Sequence, residues 1–266
     1  MDLQLAGKTA LVSGAHRGTG NVIATTLAEE GATVVLHAFT PQEADAAMAS
    51  IADETLSVIP VVGDLLTDEG TQQIMDQIAR HSLHIDILVN NYGTALAGKW
   101  DSLSTTQWLE ATNVNVLSAV RLIQHCVPHM KENHWGRIIN LSTMGDHQPN
   151  SIMPHYYAAK AALSNASVSL AKELSATGIT VNTVSPGLIH TQEMERAYQL
   201  RAQKKGWPRD WESLEQHIVE HDFPNPCGRL AKRQEVADLV VFLASPRAGF
   251  INGQNIRVDG GAVRYV

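Results

Sequence analysis

The sequence predicts an α/β protein in which one parallel sheet carries helices on both faces, the doubly wound arrangement. Apolar, β-branched runs alternate with helical patterns from the beginning of the chain to its end, which is typical of such a sheet. A length of 266 residues with a hydrophobic content of 44% is ordinary for one α/β domain. No Pro/Ser/Gly-rich linker, charge block or internal repeat divides the chain, so a single domain over residues 1–266 is predicted.

Short apolar runs mark the predicted strands, and their continuity is typical of strands that are buried on both faces. In chain order these strands are predicted at residues 9–13, 33–37, 57–62, 85–89, 137–141, 180–184 and 255–258.

A glycine-rich turn follows the first strand, with Gly14, Gly18 and Gly20 in the spacing GxxxGxG. A helix is predicted from about Asn21 to Glu30. Glycines at this place permit a tight turn and a close approach of the backbone to a ligand. The N-terminus of the helix offers free N–H groups and a positive dipole to a diphosphate.

The candidate catalytic residues follow the fifth predicted strand. Two hydroxyl residues, Ser142 and Thr143, follow this strand directly, and Tyr156 and Lys160 come after a polar loop. Tyr156 and Lys160 are one helical turn apart, so they share one face of a helix. An ammonium group at that distance lowers the pKa of a phenol. The pair therefore predicts a general acid/base.

Composition excludes several other classes of protein. The net charge of −7 argues against a nucleic-acid or anionic-membrane surface. No apolar run approaches the roughly 20 residues of a membrane helix. The twelve histidines show no metal-binding spacing, so no metal is expected. Cys126 and Cys227 are interpreted as free thiols of a cytoplasmic protein.

The segment after the sixth strand, residues 192–226, mixes charges and aromatic residues and is broken at Gly206 and Pro208. It follows the strand edge at which open α/β sheets bind ligands. We interpret it as two short helices that form a lid over the substrate. Met144, Met153, Met194 and Trp207 are candidates for an apolar pocket lining.

With these motifs in order, the chain resembles the short-chain dehydrogenase/reductase family over nearly its full length, in the style of its β-ketoacyl reductase-like branch. The resemblance implies a Rossmann-type fold. Besides the glycine turn, the residues that match the family's motifs are Asp64 after strand three, Asn90-Asn91-Tyr92-Gly93 at its NNAG turn, Asn115, Tyr156 and Lys160, and Pro186-Gly187 with Thr191. Tyr92 departs from the family pattern, which has a small alanine there.

The resemblance implies an NAD(P)-dependent oxidoreductase that transfers a hydride between the cofactor and a carbonyl or secondary alcohol substrate. It assigns catalysis to Tyr156, Lys160, Asn115 and a hydroxyl, with Asn115 holding a water that links Lys160 to solvent. Expected cofactor contacts, besides Tyr156 and Lys160, come from Gly14, His16, Arg17, Gly18, Thr19, Gly20, His37, Ala38, Asp64, Leu65, Asn91, Gly93, Pro186, Gly187, Ile189 and Thr191.

The cofactor is predicted to be NADP(H), with NAD(H) as the alternative. An NAD enzyme places a carboxylate at the end of strand two, and here that position is Ala38. Arg17 is placed where NADP-using relatives carry a phosphate-binding Arg, and His37 and Thr40 could assist.

Two measures disagree on the hydroxyl that binds substrate. The distance to Tyr156 and the count forward from Gly136 both select Thr143, whereas the family's SxxG spacing selects Ser142. We favour Thr143 and expect Ser142 to bond backbone near the end of the strand, since adjacent strand side chains face opposite ways.

Other interpretations concern single residues. Asp146 is expected to be solvated, and His147, His155 and His190 are expected to be loop residues. Alanines along the helix that follows Tyr156 indicate a homo-oligomer, a tetramer in many members of the family.

Two other functions fit the same fold. A nucleotide sensor without turnover would not need the set of Tyr156, Lys160 and Asn115. An epimerase or dehydratase of the extended branch usually has a larger C-terminal domain than 266 residues accommodate.

Overall fold

The computed structural model describes residues 2–51 and 53–264, and in this part of the chain one sheet of seven strands forms the centre of the protein. All paired strands are parallel. The spatial order is β3-β2-β1-β4-β5-β6-β7. The strands are β1 (Thr9–Val12), β2 (Thr33–Ala38), β3 (Val58–Val62), β4 (Ile87–Asn90), β5 (Gly136–Leu141), β6 (Ile179–Pro186) and β7 (Asn255–Val258).

The predicted strands are confirmed with small changes of bounds. β6 continues to Pro186 because Ser185 and Pro186 pair with Arg257 and Val258 of β7. The direction of strand order reverses between β1 and β4. In open parallel sheets such a reversal leaves a crevice at the carboxyl ends of the strands, where ligands bind.

Helices cover the sheet on both faces. The first begins at Gly18 rather than near Asn21, because Arg17 is the last extended residue before it. It ends by Gly31, whose φ of 90° favours glycine. The helices are α1 (Gly18–Glu29), α2 (Pro41–Ser50), α3 (Asp68–Arg80), α4 (Thr105–Thr112), α5 (Ser118–Glu132), α6 (Pro154–Glu173), α7 (Gln192–Lys205), α8 (Trp211–His221) and α9 (Arg233–Ala244).

Alternation along the strands divides the core between the two faces of the sheet. Val12 and Val89 belong to the cluster that includes side chains of α1 and α9. Leu11 and Leu88 belong to the cluster on the other face, with side chains of α3 and α5. A sheet buried on both faces explains why the strands appear in the sequence as continuous apolar runs.

The segment after β6 forms the two predicted helices, α7 and α8. Gly206 ends α7 with a φ of 70°, and Asp210 caps α8 by accepting a hydrogen bond from Ser213 N at 2.9 Å. The pair has its own small apolar core around Leu214 and Ile218. Among the described residues, no helix is both long enough and apolar enough to cross a membrane.

Candidate active site

The carboxyl ends of β1, β4, β5 and β6 bring most of the predicted site residues to one cleft. A cavity of about 130 Å³ at this edge is lined by Thr19, Asn91, Gly93, Leu141, Ser142, Tyr156, Lys160, Pro186 and Ile189. Five separate stretches of the sequence thus contribute to one surface. Their meeting follows from parallel strand order, which places loops that are distant in sequence side by side.

Tyr156 lies in the first turn of α6, and its hydroxyl interacts with the Thr143 side chain. Its ring is partly exposed along the cleft. Burial raises the pKa of Tyr156 to about 12, the neighbouring Tyr157 adds to this rise, and the Thr143 hydrogen bond opposes it. The predicted lowering of the pKa of Tyr156 by Lys160 is therefore wrong, because burial raises this pKa.

Lys160 is buried behind Tyr156, and its Nζ donates a hydrogen bond to Leu141 O at 2.8 Å. Burial lowers its pKa to about 8, and the charge of Asp146 opposes that shift. A Cβ on Gly93 would come within 2.7 Å of Lys160 Nζ and 2.8 Å of Asn115 Oδ1. Glycine is therefore required where the chain passes these two side chains.

Asn115 lies in a π-helical turn, Asn113–Leu117, between α4 and α5. Its Oδ1 accepts a hydrogen bond from Thr94 N at 3.1 Å. Its Nδ2 donates to Ala111 O at 3.0 Å and to Thr94 O at 3.2 Å. The side chain thus fixes the loop after β4 against the helix. The water that Asn115 is predicted to hold stays a prediction.

The two hydroxyls after β5 face opposite ways, as strand alternation requires. Thr143 interacts with Tyr156 and lines a larger cavity beside the cleft. Ser142 is buried and its Oγ lies 2.8 Å from Asp146 Oδ2 and 3.3 Å from Lys160 O. This geometry supports Thr143 as the hydroxyl that meets substrate, as a proposal.

Asp146 is not solvated, contrary to expectation. Only 1% of its side chain is exposed. Its carboxylate is within hydrogen-bonding distance of Ser142, Ser164, Ser185 and Asn255. Burial acts to raise its pKa, but the hydrogen bonds outweigh burial and the pKa of Asp146 is lowered. Sequence reasoning missed this residue because its partners come from four different elements.

The glycine turn has the geometry that its sequence predicts. Gly14 and Gly18 both have a φ of 62°. A Cβ on Gly20 would lie 2.7 Å from Gly14 O and would also collide with the Asn91 amide. Asn91 Nδ2 donates to Ser13 O at 3.0 Å, which ties the loop after β4 to the turn.

His37 cannot assist a phosphate, which corrects one prediction. Its ring is completely buried. Nδ1 accepts a hydrogen bond from Gly14 N at 3.0 Å, and Nε2 lies 2.9 Å from Gly63 O. Burial lowers the pKa of His37 to about 4, so the ring is neutral. His37 therefore supports the glycine turn through its hydrogen bond with Gly14 N.

The residues predicted to contact the adenosine side of a dinucleotide differ in exposure. Ala38 is buried at the end of β2 and Arg17 exposes 69% of its side chain nearby, 3.6 Å from Glu193. Among the described residues, Nδ1 of His16 is buried without a hydrogen-bond partner. Thr40 instead caps α2, accepting from Glu43 N at 3.3 Å.

Three further predicted contacts need comment. Asp64 is exposed at the cleft, but the Leu65 side chain is completely buried in the core, so only its main chain can reach a cofactor. Thr191 caps α7 through a bond from Met194 N at 3.2 Å. The Tyr92 ring packs on Phe39 with centroids 4.6 Å apart, beside Gly14. Tyr92 thus occupies a wall of the cleft.

Beside Thr143 lies a second cavity, of about 370 Å³, between the β5–α6 loop and the helices α7 and α8. Its lining is mixed, with Met144, Met153, Leu188 and Phe223 among the apolar residues and Gln148, Asn150, Tyr157, Tyr198, Asp222 and Arg264 among the polar ones. Met194 and Trp207 instead pack in the core of α7 and α8.

The residues Tyr157, Tyr198, Asp222 and Arg264 were not singled out from the sequence. The only available signal was that Tyr198 and Asp222 fall within the segment predicted as a lid.

The three histidines near the site differ from one another. His147 Nδ1 lies 2.5 Å from Asp146 Oδ1 in the loop. His190 Nε2 lies 2.9 Å from Glu195 and its ring stacks on Trp211. His155 is not a loop residue, because it is buried in the first turn of α6 near Trp108. In the described residues, no group of three or more His, Cys, Asp or Glu side chains could hold a metal ion.

Fold and site together define a dinucleotide-binding protein with a Tyr–Lys pair at the switch point of a parallel sheet. A family model described as enoyl-(acyl carrier protein) reductase matches residues 14–263. The chain belongs to the short-chain dehydrogenase/reductase family, as the sequence resemblance implied.

Individual relatives match over almost the whole chain. A 3-oxoacyl-[acyl-carrier-protein] reductase from Haemophilus influenzae is 34% identical, covering 97% of this chain and 98% of its own. The structure of L-sorbose reductase from Gluconobacter frateurii, complexed with NADPH and L-sorbose, is 32% identical with a TM-score of 0.93 and full coverage of both chains. A gluconate 5-dehydrogenase from Burkholderia cenocepacia, in complex with NADP and tartrate, is 27% identical with a TM-score of 0.86, over 100% of this chain and 98% of its own.

Proposed function

We propose that this protein is an NADP(H)-dependent carbonyl reductase, or alcohol dehydrogenase in the reverse direction, whose proton donor is Tyr156. The observation that carries the proposal is the interaction of the Tyr156 hydroxyl with the Thr143 side chain, where Tyr156 lines the cleft at the carboxyl edge of the sheet and Thr143 lines the neighbouring cavity of about 370 Å³. A substrate oxygen placed between the two hydroxyls would meet a proton donor and a second hydrogen-bonding group. The sensor and epimerase alternatives find no support among the relatives, which are named as reductases and dehydrogenases.

The chain's own residues divide the chemistry between them. A nicotinamide cofactor supplies or accepts the hydride when bound. Tyr156, with its raised pKa, is protonated at neutral pH and can give its proton to a carbonyl oxygen as negative charge develops there. Thr143 hydrogen-bonds the same oxygen and stabilises that charge. Lys160, buried and one turn away, would hold ribose hydroxyls and replenish the proton on Tyr156.

The glycine turn, Asn91 and the N-terminus of α1 would hold the diphosphate. The sequence prediction of NADP(H) agrees with the NADPH and NADP named in two related structures. Arg17 supports it in this chain, because its exposed guanidinium lies at the turn and Ala38 brings no carboxylate to the end of β2. A 2′-phosphate would then find a cation and no repelling charge.

The substrate that the cavity fits best is a small, hydroxylated ketone such as a ketose or a keto sugar acid. Six of its lining side chains can form hydrogen bonds, and Arg264 adds a cation. An L-sorbose complex and a gluconate 5-dehydrogenase are among the similar structures. The 3-oxoacyl thioester of the Haemophilus relative is the second candidate, since Met144, Met153, Leu188 and Phe223 could contact an acyl chain.

A substrate panel with a Tyr156→Phe variant tests the proposed function. Oxidation of NADPH would be followed by absorbance with ketoses, ketoaldonates and a 3-oxoacyl thioester. We expect turnover with the hydroxylated ketones. Tyr156→Phe should lose nearly all of it while the Kd for NADPH changes little, because the phenol acts on the substrate oxygen. A variant that kept more than about a tenth of kcat, a loss below ~1.4 kcal/mol, would contradict the role of Tyr156.

We also propose a homo-oligomer, most simply a tetramer, in the cytoplasm. Ala158, Ala162 and Ala166 are exposed at one-turn intervals along α6, whereas Ala159 and Ala171 are buried within the protein. A groove of about 620 Å³ between α5 and α6 carries apolar side chains such as Ile123 and Val127. The cytoplasmic location rests on the free thiols of Cys126 and Cys227.

A further inference from the structure

Asp146 is the most completely buried and most heavily bonded carboxylate near the site, and the proposed mechanism does not use it. Its side chain is 1% exposed. Four donor groups lie within 3.1 Å of Oδ2: Ser164 Oγ at 2.5 Å, Ser142 Oγ at 2.8 Å, Asn255 Nδ2 at 2.8 Å and Ser185 Oγ at 3.1 Å. Its other oxygen meets His147 Nδ1 at 2.5 Å.

These donors come from four places in the chain that meet near the end of β5. Ser142 directly follows β5, Ser164 lies on α6, Ser185 on β6 and Asn255 on β7. One carboxylate therefore joins the helix that carries Tyr156 and Lys160 to three strands of the sheet. Burial of a charge is costly unless it is paired and hydrogen-bonded, and a carboxylate at this place is stable only because all the donors converge on it.

Asp146 also forms hydrogen bonds with Thr143 itself and with the residue directly before it. Its backbone N donates to Thr143 O at 2.9 Å, while its side chain reaches back to the hydroxyl of Ser142. Thr143 Oγ1 meanwhile accepts from Gly145 N at 3.3 Å. The turn that contains Thr143 is thus closed by the backbone N–H of Asp146, while the carboxylate of the same residue holds Ser142, directly before Thr143.

We propose that Asp146 is a positioning residue for the reaction, which fixes the Thr143 hydroxyl against Tyr156 by anchoring the end of β5 to α6, β6 and β7. The inference rests on the proposed function, since it assigns Asp146 a role that acts through Thr143. The hydrogen-bonding pattern is what matters, so an asparagine whose oxygen occupies the Oδ2 position preserves most of it. His147, Tyr156 and Lys160 are the titratable groups near the carboxylate.

A double-mutant cycle tests this coupling, because residues that act through one another show non-additive effects. The variants are Thr143→Val, Asp146→Ala, their double mutant and Asp146→Asn, with Asp86→Asn as control. Asp86 accepts a hydrogen bond from Thr9 N at 3.0 Å near the start of β1, at the opposite edge of the sheet. Active sites would be counted by NADPH titration, so that lost kcat is separated from lost folded protein.

We expect Asp146→Ala to lower kcat roughly 10²-fold, as removal of one oxyanion-type donor does, with the Kd for NADPH nearly unchanged. The double mutant should be no more than about threefold worse than Thr143→Val alone. Asp146→Asn should recover at least about tenfold of the loss, and Asp86→Asn should leave kcat per active site unchanged.

The proposal would be overturned if the fold-loss of kcat in the double mutant equalled the product of the losses in the two single mutants. It would also be overturned if Asp146→Asn were as impaired as Asp146→Ala. If Asp146→Ala does not fold, Asp146→Asn decides, because the proposal requires it to keep more than about a tenth of kcat. Absence of turnover in the wild type would instead reject the proposed function. Wild-type turnover, with Thr143→Val impaired and Asp146→Ala unimpaired, would reject this inference alone.

Discussion

Burial, more than charge, sets the protonation of the two central residues of the site. It raises the pKa of Tyr156 to about 12 and lowers that of Lys160 to about 8. Both shifts favour the neutral form, as expected for groups removed from water. The site therefore presents a protonated phenol next to a lysine whose pKa lies at about 8.

The Thr143 hydroxyl is expected to contribute directly to catalysis. Thr143→Val keeps the shape of the side chain and removes the hydrogen-bonding group, so kcat/KM should fall roughly 10²-fold. The variant for comparison is Ser142→Ala, one residue away, whose hydroxyl lies 2.8 Å from Asp146 Oδ2 and 3.3 Å from Lys160 O. Steady-state kinetics of the two variants decide between them. A nearly active Thr143→Val beside a crippled Ser142→Ala would transfer the role to Ser142.

Arg17 should determine the preference for NADP(H). Its side chain is 69% exposed, and its guanidinium lies 3.6 Å from Glu193 in a weak surface ion pair. Arg17→Ala should raise the Kd for NADPH about tenfold or more, because a hydrogen bond to a charged group contributes ~1.5–3 kcal/mol. The Kd for NADH should hardly change and serves as the internal control. Fluorescence titration with both cofactors measures it, and equal losses for the two would refute this role.

At the scale of elements, β2 supports the glycine turn through a neutral histidine. His37 joins Gly14 N at the end of β1 to Gly63 O after β3. Protonation of His37 would place an N–H group at Nδ1, and that donor would then face the N–H donor of Gly14. Protonation of His37 in acid would therefore break the hydrogen bond by which β2 supports the glycine turn.

His37 predicts a loss of stability in mild acid. Its pKa is about 4 when folded and about 6.5 when unfolded, so between these values the unfolded chain binds more protons. The stabilising contribution is complete above pH 6.5 and disappears as the pH falls to 4. The shift corresponds to roughly 3 kcal/mol. His16 lowers this pKa further, whereas Glu43 and Asp64 act against the shift.

Denaturant unfolding of the wild type and of His37→Gln, measured from pH 7 to 4, checks this prediction. Glutamine retains an acceptor and a donor but does not titrate in this range. The wild type should lose more of its free energy of unfolding than the variant. Parallel curves for the two proteins would show that His37 does not carry the effect.

At the scale of the whole molecule, the outer face of α5 and α6 is the surface that we propose for contact with a second copy of the chain. Val168 is 36% exposed beside the alanines of α6, and the adjoining groove has an apolar lining. Small residues at one-turn spacing permit another helix to approach closely. A second copy of this chain would bury both surfaces, because a twofold axis pairs a patch with itself.

Light scattering at micromolar concentration should show an oligomer for the wild type. Ala166→Glu places a charge in the middle of the exposed face of α6 and should reduce the molar mass. Ala46→Glu, with its side chain on α2 and away from this face, is the control and should not. A wild-type protein that is monomeric at this concentration would exclude the assembly.

The sequence by itself determined the order of strands and helices, the parallel sheet and the family. Each of these depends on local patterns. Buried strands need continuous apolar runs, the turn after β1 needs glycines at positive φ, and the tyrosine and lysine need one helical turn between them. Such features are recorded residue by residue along the chain.

The tertiary structure alone decided how the side chains of the site are bonded and charged. Asp146 looked like an exposed loop residue and is the buried anchor of β5, because its donors stand on α6, β6 and β7. His37 looked available to a phosphate and is enclosed between β1 and β3. Lys160 looked as if it would lower the pKa of Tyr156, but burial raises it. Desolvation and convergent hydrogen bonds arise only when distant segments meet, and no spacing in the sequence encodes them.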